Sequence, residues 1–473
     1  IDLHSHTDLF LPARPTADSL VRQGITTVVT GQCGLSPAPL GPGDCRQISS
    51  LFGSRLNRIG EAMPWSQCAS LAGYLEFLTQ IGLSINVAPL VGQGVIRAAV
   101  MGFEPGEPDA SQRAAIRRLA EEAVDQGAFG ISTGLIYPPG FWSTAEELVD
   151  VVKAVAAKGG LYFSHIRNEG GKLLESIHEA LEIGRRSGAH TQISHFKAAG
   201  QDNWDKSAQA LELLSRAAEN QPLGTDMYPY TAGSTALIAL LPHWAHQGHQ
   251  ADVLSRLADP AMRRRMTADM AISGLAGGNL EGVLIVHSES KPEYVGHRLL
   301  ELAAQSRQAP EEWLYDALLE SRCDLMMALF MMSEDNRRRE ITHPLMAIGT
   351  DGFGLATTGS TAKIMTHPRS FGTFPRVLGH YCREEGLLSL EEAVHKMTGL
   401  AARYLGFKDR GLIREGLAAD LTIFNPQTII DTANYDQPKS YPRGIDYVLV
   451  AGQMVVDQGE HTGARPGRVL RRP

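Results

Sequence analysis

Leu161-Tyr-Phe-Ser-His165 and Gln192-Ile-Ser-His195 are short apolar runs that each end in a histidine. A helix-period segment separates them, so each reads as a strand and the pair as one strand-helix repeat. If each histidine ends its strand, both imidazoles reach the same rim of neighbouring parallel strands. Working outward, similar runs recur at Ile25–Gly31, Ile85–Gly92, Phe129–Leu135 and Gly224–Tyr228, with a seventh expected at Gly282–Ser288 and an eighth at Leu345–Thr350. Amphipathic segments at Ser111–Gln126 and Thr144–Ala157 lie between them. Ser111 and Ser143 or Thr144 suit N-caps, and Gly127 and Gly159 suit C-caps.

An open doubly wound sheet would carry a glycine-rich phosphate turn after its first strand, where this chain has Thr7-Asp-Leu-Phe10. The expected fold is therefore α/β, a (β/α)8 TIM-type barrel over residues 1–405. A polar stretch at about 242–281 reads as a helical insertion above the C-terminal face, and the short strands within 406–473 as a small β appendage.

With 43% hydrophobic and 20% charged residues, the 473-residue chain has globular composition. Its net charge is −8, and it has no basic block long enough to follow a phosphate backbone, so a small molecule is expected as partner rather than nucleic acid. No apolar run approaches the roughly 20 residues of a membrane span. The five cysteines (Cys33, Cys45, Cys68, Cys323 and Cys382) are odd in number and scattered, which fits a reducing cytoplasm better than a disulfide framework. The opening Ile-Asp-Leu-His lacks an initiator Met and a signal core, and reads as the inside of a structural element.

His4 and His6 flank Ser5, so in an extended strand they would share one face. Cys33 ends the run that begins at Ile25, and Ile348-Gly-Thr-Asp351 ends another with a carboxylate. Cys33, His165 and His195 form a zinc-type set of a thiolate and two imidazoles with a fourth position open, and His4 and His6 could hold a second, weaker ion. Taken singly, each histidine is more often a hydrogen-bonded core residue, but several such groups at strand ends of one barrel favour a metal site. Lys197 and Arg369 taken alone read as surface charges, and Tyr228 as a packing ring. His243, His246 and His249, spaced by three, would share a helix face and read as polar insertion surface. Met326, Met327, Met331 and Met332 read as core filler, and the remaining cysteines have no ligand-like neighbours.

The opening Ile-Asp-Leu-His-Ser-His-Thr-Asp, the His-bearing strand ends and Gly349-Thr-Asp-Gly352 resemble the amidohydrolase superfamily of metal-dependent barrel hydrolases. Within it, Gly31-Gln-Cys-Gly34, the stretch from Gly130 to Gly140, Tyr162-Phe-Ser-His-Ile-Arg-Asn-Glu169, Gln192-Ile-Ser-His-Phe-Lys197 and His367-Pro-Arg-Ser-Phe-Gly-Thr-Phe-Pro375 are similar to the N-acyl-D-amino-acid deacylases, or D-aminoacylases. The resemblance runs almost end to end. It implies zinc-dependent hydrolysis of the amide bond of an N-acyl-D-amino acid. It also implies one tight Zn²⁺ on Cys33, His165 and His195, a weak second position bordered by His4, His6 and Asp351, and Lys197, Tyr228 and Ser234 as substrate contacts. Asp351 suits the catalytic proton carrier, and Arg369 a bidentate clamp for the α-carboxylate of the substrate.

Hydantoinases and dihydroorotases of the superfamily bridge two metals with a carboxylated lysine at the end of the fourth strand, and Gly127 to Gly140 contains no lysine. That argues against a cyclic-amide hydrolase, and the intact ligand positions argue against a non-catalytic hydantoinase-like scaffold. The apolar stretch Ser234–Pro242 points to a hydrophobic side chain on the substrate. Family members usually complete the appendage with strands that precede His-x-His. Their absence predicts exposed Ile423, Phe424, Val448 and Val450 and reduced solubility.

Overall fold

Strands buried on both faces are what a parallel sheet requires, because helices cover one side and side chains fill the other. The computed structural model, which describes residues 1–40, 62–273, 275 and 279–472, shows this pattern. β1 (Thr27–Thr30) pairs in parallel with β2 (Asn86–Pro89). Two residues on, β3 (Val91–Gly92) pairs with β4 (Gly130–Gly134). The sheet continues through β5 (Leu161–His165), β6 (Thr191–Ile193) and β7 (Leu223–Met227). The six-stranded parallel sheet, running from β3, is completed by β11 (Met346–Ile348), which pairs with β7. Residues 1–5 are not a regular strand. They make two isolated parallel bridges, Asp2 to Val28 and Ser5 to Gly352. The Ser5 N–H donates to the Val29 carbonyl at 3.0 Å and the Leu3 N–H to that of Ile348 at 3.4 Å.

One expected barrel strand lies elsewhere. β9 (Val283–His287) belongs to a three-stranded antiparallel sheet with β8 (Ala232–Ala236) and β10 (Met326–Phe330), in the long excursion between β7 and β11. A β-branched run is equally suited to either sheet, so composition alone cannot assign it. This sheet organises a second apolar cluster, including Leu237, Met266, Ile285, Trp313 and Met327.

The helices follow the caps with one correction. Thr144 accepts the Glu147 N–H and starts the helix Ala145–Ala157. In the preceding helix, Ala110–Asp125, the cap is Asp109 in a reciprocal box with Gln112, not Ser111. His243, His246 and His249 do not share a helix face: the first two lie in a 3₁₀ turn, and His249 sits at the N-cap of Gln250–Ala258.

The tail forms an antiparallel meander, β12 (Leu421–Phe424), β13 (Ile445–Val450), β14 (Gln453–Asp457) and β15 (Glu460–His461). Ile423 is 51% exposed, but Val448 and Val450 are fully buried in the main apolar cluster, contrary to expectation. β13 alternates, and this face packs into the apolar cluster that also holds residues of the parallel sheet and its helices. Cys68 is buried, Cys323 and Cys382 are half-buried, and Cys45 lies outside the described residues.

Candidate metal centre

Strand register brings the reactive side chains to one end of the sheet. Gly134 of β4 pairs with His165, the last residue of β5, while His195 lies just beyond β6 and Asp351 just beyond β11. Cys33 follows β1 in a tight turn against β4. A Cβ on Gly134 would collide with the Cys33 carbonyl, so only glycine admits this approach. Cys33, His195 and Asp351 adopt φ values of 54°, 34° and 48°. Non-glycine residues rarely enter this left-handed region, at a cost of about 1–3 kcal/mol each, and such strain clusters at functional sites.

Cys33 Sγ lies 3.4 Å from His165 Nδ1, 3.4 Å from His195 Nε2 and 3.4 Å from His4 Nε2. His195 Nε2 and His165 Nδ1 are 2.9 Å apart. A tetrahedral site with ligand bonds of about 2.0–2.3 Å has ligand-to-ligand edges of about 3.3–3.6 Å. Cys33, His165 and His195 are thus spaced within a few tenths of an ångström of one ion's ligand shell, and their thiolate and imidazole chemistry suits a soft divalent ion. A second grouping adjoins it, with Asp351 Oδ1 at 3.2 Å from His6 Nε2 and 3.6 Å from His4 Nε2.

Burial alone would keep the Cys33 thiol protonated, but the imidazoles of His4, His195 and His165 outweigh it and hold its pKa well below the ordinary value. Burial would likewise raise Asp351. The Arg369 guanidinium, 2.7 Å away, and His6 reverse this and hold the carboxyl well below its usual range. His6 moves the other way: against burial, its hydrogen bond with Asp351 and the neighbouring Cys33 raise it to about 9.

The residues that the sequence offers as metal ligands, proton carrier and substrate contacts gather here. His4 is fully buried. The others, His6, Cys33, His165, His195, Lys197, Tyr228, Ser234, Asp351 and Arg369, line one cavity. The Arg369 guanidinium lies 4.7 Å from the centre of the Tyr228 ring and donates to the Ser234 carbonyl at 3.3 Å. The buried Ser234 hydroxyl has no partner.

Three residues escaped the sequence reading. Glu169 Oε1 lies 3.1 Å from His195 Nδ1 and accepts from Lys197, whose Nζ is 2.8 Å from the same imidazole nitrogen. Asp226 Oδ1 lies 3.2 Å from His4 Nδ1 and accepts the backbone N–H of His195 at 2.9 Å. Carboxylates in these positions fix the tautomer and orientation of ligand histidines. Tyr137 packs edge-on to His165 with ring centres 5.3 Å apart, and its hydroxyl is 3.1 Å from Thr235 Oγ1. Asp226 carried a signal, as a charge inside a wholly buried strand, and Glu169 and Tyr137 stand inside quoted motifs. Met326, Met327, Met331 and Met332 are buried in the apolar clusters, as the sequence suggests, and Met326 and Met331 also line the cavity.

Comparison with known proteins agrees with this chemistry. A profile described as "Amidohydrolase family" matches residues 90–456. The chain is 36% identical to the D-aminoacylase of Alcaligenes xylosoxydans xylosoxydans over 476 residues, covering 100% of this chain and 86% of the relative. It is also 36% identical to the N-acyl-D-aspartate deacylase of the same organism over 482 residues, 99% of this chain and 84% of that protein. The crystal structure of the N-acyl-D-glutamate deacylase of Bordetella bronchiseptica, complexed with zinc and a phosphonate mimic of the tetrahedral intermediate, superposes with a TM-score of 0.82 at 33% identity, covering 100% of this chain and 88% of that one. With its thiolate and imidazoles meeting at the strand ends, the chain belongs to the amidohydrolase family and, within it, to the D-aminoacylase group of metal-dependent enzymes.

Proposed function

We propose that this enzyme uses zinc to hydrolyse the amide bond of N-acyl-D-amino acids with neutral, apolar side chains, releasing a carboxylate and a free D-amino acid. The observation that carries the reading is the meeting of Cys33, His165 and His195, no more than 3.4 Å apart, in a cavity that Asp351 and Arg369 also line. Cys33, His165 and His195 would hold the zinc, which would supply an activated water at neutral pH and Lewis-acid polarisation of the amide oxygen. Asp351 accepts the proton released in the attack and returns it to the leaving nitrogen, which must be protonated before the C–N bond breaks. Arg369 holds the α-carboxylate with its planar fork and Lys197 adds a point charge, while the Tyr228 and Ser234 hydroxyls offer neutral hydrogen bonds. The tight ion belongs on Cys33, His165 and His195. The weaker second position, beside His4, His6 and Asp351, depends on a carboxylate already shared with Arg369.

Sequence identity does not choose a side chain, since the relatives named for D-aspartate and for D-amino acids in general are equally similar. The cavity favours an apolar one. Its wall includes Leu9, Phe10, Leu35, Ile136, Met326 and Leu329, and among the described residues its lysine and arginine are Lys197 and Arg369, each already facing a carboxylate, as His6 faces Asp351. Among the described residues no further lysine or arginine lines it to meet an acidic side chain. The end of β4, Ser132-Thr133-Gly134, offers no lysine for the metal bridge of a cyclic-amide hydrolase.

The same reading takes the parallel strands as one (β/α)8 ring, with residues 2–5 as the stave between β1 and β11. The bridges at Asp2 and Ser5 support this, as does the buried cluster joining Leu3, Val29, Ala88, Phe163 and Ala347. Residues 1–405 then form the barrel unit, with the insertion of about 242–281 in the excursion before β11, and 406–473 the small β domain. A working thiolate suits the cytoplasm, and no described helix is long and apolar enough to cross a membrane.

Steady-state hydrolysis of N-acetyl-D-methionine, its L enantiomer, N-acetyl-D-glutamate and a hydantoin tests the proposal. The D-methionine substrate should exceed the L form in kcat/KM by on the order of 10²-fold and the glutamate by at least about tenfold. Equal rates on both enantiomers, or preferred opening of the hydantoin, would overturn the reaction; preference for glutamate would overturn the side-chain assignment.

A further inference from the structure

The motif beginning at His367 contributes Arg369 to the proposed reaction but leaves its own histidine unused. His367 is 1% exposed, and its Nδ1 accepts the backbone N–H of Arg369 at 3.0 Å. This closes the turn that an Asn or Asp side chain makes when it accepts from the residue two positions on. A neutral imidazole that accepts at Nδ1 carries its proton on Nε2, which lies 3.3 Å from the Tyr435 hydroxyl. Burial, reinforced by the charge of Arg369, keeps the ring neutral. The rings of Tyr435, Tyr230 and Tyr228 surround it with centres 5.1, 5.3 and 6.4 Å away.

Tyr435 reaches this site from the tail of the chain. It lies in an excursion, residues 431–442, whose neck is closed by paired backbone hydrogen bonds of 3.2 and 3.0 Å between Ile430 and Arg443. The excursion crosses the loop that connects Asp351 to Arg369. Lys439 Nζ donates to the carbonyls of Thr361 and Ala362 at 2.8 and 2.6 Å, and the Thr357 N–H donates to the Tyr441 hydroxyl at 3.2 Å. Ala433 is buried in one cluster with Phe10, Leu355, Ile364 and Phe371.

We propose that His367 and Tyr435 are positioning residues through which the 431–442 excursion fixes the backbone of Arg369 and so aims its guanidinium at the α-carboxylate of the substrate. The proposal rests on the reading of Arg369 as the carboxylate clamp. A hydrogen bond of this kind is worth a factor of about 2–12, and its loss should appear in KM because it serves substrate binding rather than bond breaking.

The test compares N-acetyl-D-methionine with its carboxamide, which lacks the α-carboxylate. His367→Ala should raise KM for the acid about tenfold with kcat within about twofold, and leave kcat/KM for the carboxamide nearly unchanged. His367→Asn, which restores an acceptor for the Arg369 N–H, should recover most of the loss, and Tyr435→Phe should raise KM for the acid about threefold. Equal losses on both substrates, or no loss on either, would overturn the positioning role. Tyr435→Phe keeps the test decisive if His367→Ala fails to fold. Arg369→Ala separates the two levels: if it weakens both substrates equally, the clamp reading itself fails and the proposal falls with it.

Discussion

Cys33→Ala is expected to abolish tight zinc binding and to lower kcat/KM by on the order of 10³-fold or more. Three donors converge at this position, and Cys33 is the soft one, 3.4 Å from each of three imidazoles. Removing it leaves two neutral nitrogens on the tight site and no anion to balance a divalent charge. Metal analysis after gel filtration checks the first half of the result, with about one zinc per chain in the wild type and less than about one tenth in the variant. Cys382→Ala, half-buried and outside the cavity, serves as the control and should match the wild type. Undiminished zinc and activity in Cys33→Ala would remove the thiolate from the site.

Asp351→Asn should separate chemistry from binding. It keeps the shape of the side chain but cannot carry a proton, so kcat should fall by about 10²–10⁴-fold while the tight zinc remains. The pH dependence gives a second check. Arg369 holds the Asp351 carboxyl below its usual range, so the wild-type residue is ionised and ready to accept a proton from the ordinary carboxylate range upward. The loss in Asp351→Asn should therefore be uniform across neutral and mildly acidic pH rather than a displaced acid limb. A variant with wild-type kcat would assign the proton transfer elsewhere.

Much of the site was legible because strand ends are positions a sequence can mark. His165 and His195 each close a short apolar run, and the parallel register of β5 and β6 carries both to one rim. The parts that were not legible share a physical cause: they depend on which element meets which. The run at Gly282–Ser288 reads as a strand in any sheet, and only tertiary pairing places it beside β10 rather than in the parallel sheet. Val448 and Val450 look like edge residues until the meander is seen sharing one apolar cluster with the parallel sheet and its helices. Met326 and Met331 fill the core as expected, but that they also line the cavity was hidden, because a methionine at a cavity wall and one inside a core have the same local pattern. Glu169 and Asp226 do their work through partners distant in sequence, His195 at 3.1 Å and His4 at 3.2 Å, which spacing does not reveal. The left-handed φ angles at Cys33, His195 and Asp351 were also hidden, since nothing in the local sequence requires them.

X-ray absorption at the zinc edge of the wild-type protein loaded with one equivalent tests most directly whether Cys33 shares an ion with His165 and His195. One sulfur scatterer at about 2.3 Å together with nitrogen or oxygen scatterers at about 2.0–2.1 Å is the predicted shell. A shell of nitrogen and oxygen alone would contradict it.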